Sequence, residues 1–79
     1  MTPEALGAKL HEMYEEAKRN EAVCQIHLFG IIYGEMIRQS GYRLNDILKA
    51  SGLSAGYLPE LSKGINLSKY VRLRQEYEA

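Results

Sequence analysis

The chain has no tryptophan, one phenylalanine, one cysteine and two prolines in 79 residues. A single Cys24 excludes an internal disulfide framework and suits a reducing compartment. No activating neighbour flanks it, so it reads as a small buried apolar side chain rather than a reactive thiol. Six tyrosines do not replace the missing large apolar aromatics, so the core must lean on Leu, Ile and Met. Net charge is also lacking: ten basic and ten acidic residues cancel, which argues against indiscriminate binding to polyanions. The longest apolar stretch, "IHLFGIIYGEMI", is too short to span a bilayer and carries His27 and Glu35. The N-terminal "MTPEALGAKLHEMYEEA" has acids and helical spacing in place of a basic region and an apolar run, so it is not a signal peptide. A soluble, cytoplasmic protein without membrane contact is expected. No segment repeats or is of low complexity.

What is present points to helices. The apolar fraction of 46% supports a core. One domain over residues 1–79 is expected, at a size that buries about 60% of the unfolded surface. Thr2-Pro3-Glu4 opens a helix with a cap-capable hydroxyl, a proline at the first position and an acid at the positive end of the dipole. Leu6, Leu10, Met13, Tyr14 and Ala17 then recur at three- and four-residue spacing, with Glu12, Glu15, Glu16 and Lys18 on a solvated face. Lys18-Arg19-Asn20-Glu21 forms the next loop. A second helix runs from about Ala22 to Gln39, apolar on nearly every side from Ile26 to Ile37, and is expected to be buried. Gly30 and Gly34, one turn apart, would let a neighbouring helix approach closely. Ser40-Gly41 ends this helix, with Arg38 well placed in its last turn.

Two shorter helices follow, from Leu44 to Ser51 and between Ser54 and Lys63, the latter stopped by Gly64. Were Pro59 deep in this last helix it would cost about 3 kcal/mol. With Gly56 as the effective cap it falls in the first turn, so the helix should start near Tyr57. In "NLSKYVRLRQEYEA", Leu67, Tyr70, Val71 and the stem of Arg74 share a helical face, while "YVRLRQEY" alternates as a strand would. The fold class is all-α: a compact bundle of four to five helices.

Residues 42–66 of this chain resemble the helix-turn-helix of the lambda-repressor and Cro type. There a turn glycine adopts a left-handed backbone, with apolar residues five before it, directly after it, and six and nine after. Around Gly52 those positions are Ile47, Leu53, Leu58 and Leu61, and Ser54 stands where the second helix is capped. From "HLFGIIYGEMI" to "LSKYV" the chain is also similar to small bacterial helix-turn-helix-like proteins with a buried helix before the motif. One departure is Leu48, four residues before the glycine, where the family usually has alanine and a larger side chain would force a wider crossing or a different register. The resemblance implies bases read by polar residues near the start of the second helix. The outward positions here are Ser54, Ala55, Gly56, Pro59, Glu60 and Lys63. Ser54 and Lys63 are ordinary DNA-contacting types, Ala55 suits a thymine methyl, and Glu60 can accept from cytosine but repels phosphate.

Charge is lopsided along the chain. Residues 1–37 carry three basic and six acidic side chains, whereas residues 38–74 carry seven basic ones against Asp46 and Glu60. The leading expectation is therefore a small DNA-binding regulator whose affinity comes largely from phosphates, through Arg43, Lys49, Lys63, Lys69, Arg72 and Arg74. About five such contacts would give a slope of roughly −4 to −5 in log K against log salt. Tyr57 either meets a phosphate or packs beside Leu61. The alternative is a protein-interaction module in which the same helical pair holds a partner, or a homodimer formed through Tyr70, Val71, Leu73 and Tyr77. No catalytic constellation is visible. Cys24 and His27 form a Cys-x-x-His pair without further ligands for a metal, His27 reads as a core or boundary residue, and no cofactor or small-molecule motif occurs.

Overall fold

The computed structural model describes residues 1–74. Four α-helices follow one another as α1 (Pro3–Glu15), α2 (Ala22–Ser40), α3 (Leu44–Ser51) and α4 (Leu58–Leu67), with a 3-10 turn at Ala55–Tyr57 before the last. No strand occurs among the described residues, and the fold is an all-α bundle. Two close pairs build it: α3 packs mainly on α1 and α4 mainly on α2, while α1 and α2 join the halves. Direct contact between α3 and α4 is slight, and Leu48 is buried in the core. Leu6, Leu10, Ile26, Phe29, Ile47 and Leu61 are fully enclosed, each worth about 1.5–3 kcal/mol of burial.

The helix ends follow from local chemistry. Thr2 Oγ1 accepts from the Ala5 N–H at 3.1 Å, and Pro3 and Glu4 fill the first turn of α1. Gly41 and Gly52 close α2 and α3 at φ of +72° and +76°, where a Cβ would strain the backbone. Ser54 Oγ accepts from Gly56 N–H at 3.2 Å, so the 3-10 turn leads into α4 and Pro59 lies in its first turn. The missing proline donor is harmless there.

Four expectations are corrected. Gly64 does not stop α4, which continues to Leu67; its φ is not in the left-handed region. Gly64 is instead where α4 crosses α2. A Cβ on Gly30 would stand 2.5 Å from the Gly64 carbonyl carbon, and one on Gly64 would stand 2.7 Å from His27 O. Second, α2 is not buried all round. Its face with Ile26, Phe29, Gly30, Gly34 and Ile37 is enclosed, but Val23, Ile32 and Met36 are exposed because α1 and α4 cover only one side. Third, Cys24 lies on the exposed side, since it stands two positions before Ile26, about 200° around the helix. Fourth, among the described residues the segment after α4 is neither helix nor strand: a hydrogen-bonded turn carries it through Tyr70, and residues 71–74 have no regular structure. Tyr77 lies outside the described residues.

Candidate nucleic-acid interface

The turn between α3 and α4 is held from inside. Ser51, almost fully buried, donates its hydroxyl to Leu48 O and accepts from the Leu53 N–H at 3.1 Å. His11 Nδ1 lies 3.1 Å from Ser51 O, so that nitrogen carries the proton and donates, tying α1 to the end of α3. Tyr57 leans on α1 as well: its hydroxyl is 2.9 Å from that of Tyr14, with ring centroids 5.5 Å apart. This bond is the main cause that raises the Tyr14 pKa above the ordinary tyrosine value. Tyr57 is thus placed as a half-buried packing residue, as are Leu53 and Leu58.

The outer face of α4 begins poorly. Ser54, Ala55, Gly56 and Pro59 are exposed, but the last three have no polar side-chain atom and Ser54 Oγ is used as a cap. Glu60 turns toward α2. Its Oε1 lies 2.7 Å from His27 Nε2 and its Oε2 accepts from Lys63 Nζ at 3.1 Å. Those hydrogen bonds, the His27 one foremost, hold its carboxyl below the ordinary range. His27 is therefore a boundary residue, as its sequence position suggests.

Further along, Lys63 and Asn66 are exposed one turn apart, and Tyr70 follows one turn later, 83% exposed. Lys63, Asn66, Leu67 and Tyr70 line one shallow groove with His27. Asn66 was not identifiable as an outward residue once the helix was ended at Gly64. The signal was present, however: Leu58, Leu61 and Ile65 continue the three- and four-residue spacing straight through that glycine.

The basic residues separate into three places. Arg43 lines a groove with Pro59 and Ser62 beside α4, and Lys69 is exposed next to Tyr70. Lys49 stands by Glu4 and Asp46 at the start of α1. Arg72 and Arg74 line a groove of about 860 Å³ between α1 and α2, together with Glu12, Glu16 and Glu21 and with Lys9 and Lys18. Arg38 is also engaged, donating to Ile65 O at 2.9 Å and to Ser68 Oγ at the end of α4. No helix among the described residues is long and apolar enough to cross a membrane.

Neither a curated protein nor a solved structure matches the chain significantly. A family profile does match, over residues 2–74, and its description is that of a helix-turn-helix-like (HTH-like) domain. It does not single out the lambda-repressor and Cro type. With α3, the Gly52 turn and the Ser54-capped α4 in the motif's order, the chain belongs to the HTH-like domain family.

Proposed function

We propose that this protein is a small DNA-binding protein that regulates transcription, holding duplex DNA mainly through its phosphates. The observation that carries this reading is the exposed face of α4, flanked by Arg43 on one side and carrying Lys63, with Lys69 exposed in the turn just past its end. Among the described residues Arg43 and Lys69 form no ion pair, and the Lys63 bond to Glu60 is a surface pair. Such pairs are worth about 0–1 kcal/mol, so a phosphate can displace the carboxylate. Fluorescence anisotropy of a mixed-sequence duplex, titrated at two salt concentrations, tests it. Binding should weaken steeply with salt and weaken again when Lys63 and Lys69 become alanine. Absence of binding at low salt would sink the reading.

A second reading has its own support. Leu67, Tyr70 and Val71 are exposed side by side at the end of α4, a patch suited to a protein partner or to a second copy of the chain. Tyr70→Ala would then dissolve a complex whose strength is insensitive to salt.

A further inference from the structure

Resting on the DNA-binding reading, we propose that Asn66 is the residue that confers sequence preference, by recognising adenine from the C-terminal half of α4. Apart from apolar contact with a thymine methyl, base reading rests on polar side-chain atoms on the face that enters the major groove, which match the donor and acceptor pattern of base edges. The turn before α4 and its first half have little to give: Ala55, Gly56 and Pro59 lack them, Ser54 caps the 3-10 turn, Glu60 is held by His27 and Lys63, and Ser62 is a half-buried hydroxyl beside Arg43. The reading end is thereby moved along the helix. Pro59, Lys63 and Asn66 stand at four- and three-residue intervals on one exposed stripe, and Tyr70 extends it.

Asn66 is the amide on that stripe, and an amide pairs two ways with adenine, donating to N7 and accepting from the N6 amino group. Its neighbours suit the site. Lys63 and Lys69 offer charge to the phosphates on either side, and the exposed Tyr70 ring offers an apolar face and a hydroxyl. From Pro59 to Asn66 the stripe is about 10 Å long, within the groove's width of about 12 Å. The close Gly30–Gly64 crossing fixes α4 on α2 beneath it, so the stripe is presented by a rigid element.

The test is selection from duplexes with a randomised central window by the full chain and by Asn66→Ala. Asn66 is exposed and alanine favours helix, so the variant should fold, which far-ultraviolet circular dichroism verifies. The wild type should enrich a motif containing adenine. Asn66→Ala should lose the preference at that position by about tenfold while keeping its affinity for mixed-sequence DNA. Lys63→Ala should weaken all sequences alike. The same motif enriched by both proteins would overturn the assignment, and so would wild-type binding without any motif, which leaves the DNA-binding reading standing. No binding to any duplex would remove both. A dimer dissolved by Asn66→Ala and Tyr70→Ala, with the motif unchanged, would reassign the stripe to contact between copies.

Discussion

Glu60 is the residue whose role the fold changes most. In sequence it is a carboxylate on a DNA-facing helix, where it would repel phosphate. In the fold, His27 and then Lys63 take up its two oxygens and lower its pKa from an ordinary value of 4.5. The sign follows from linkage: a carboxyl with a depressed folded pKa adds stability that is complete above its unfolded value and is lost as pH falls through the folded one. Urea midpoints of the wild type and Glu60→Gln should therefore differ at neutral pH and converge as the pH falls below the ordinary 4.5 and through the depressed folded value. A difference that stays constant across that range would contradict the clamp. Ser51 illustrates the opposite case, a residue without any sequence signal that fixes the turn through Leu48 and Leu53.

At the scale of the element, α4 is defined by its crossing with α2. Gly64→Ala places a methyl 2.7 Å from His27 O, and backbone on both sides cannot yield cheaply. In an exposed helix the change would stabilise by up to about 1 kcal/mol. Here overpacking should cost about 1–3 kcal/mol, which lowers the melting temperature by about 4–8 °C per kcal/mol in a chain of this size. Gly56→Ala, whose Cβ would meet nothing nearer than Ser54 Oγ at 3.5 Å, is the control and should leave the melt nearly unchanged. The same contrast explains what was legible. Thr2, Gly41, Gly52 and Ser54 act within a few residues of themselves, so the starts and stops they set could be read from the chain. The close-approach role of Gly30 and Gly34 was legible too, but not their partner. Gly64 looks like a helix stop because its neighbour is set by a crossing 34 positions earlier in the chain. Cys24 and the back of α2 were misjudged for a related reason: composition records how apolar a helix is, not how many helices are available to cover it.

For the whole molecule, the question is where the charge of residues 38–74 goes. Counting cations along the chain suggests five or six phosphate contacts. Folding divides them: Arg72 and Arg74 line the mixed-charge groove between α1 and α2, Lys49 stands by Glu4 and Asp46, and Arg38 serves the end of α4. Arg43, Lys63 and Lys69 remain around the exposed face of α4. Three contacts give an expected slope near −2.7 in log K against log salt, shallower than the −4 to −5 from counting. Arg43→Ala or Lys69→Ala should flatten it by about 0.9 each, and Arg72→Ala should not. A slope of −4 or steeper across an anisotropy salt series would place the tail arginines on DNA.

The pairing of α3 with α1 and of α4 with α2 has a consequence for the motif itself. Its two helices lean on other elements more than on each other, so the motif is a seam between two halves rather than a portable cassette. Residues 42–66 cut out alone would leave Ile47, Leu48, Leu61 and Ile65 without the surfaces that enclose them. Grafting the stretch into another protein would transfer its sequence without its shape.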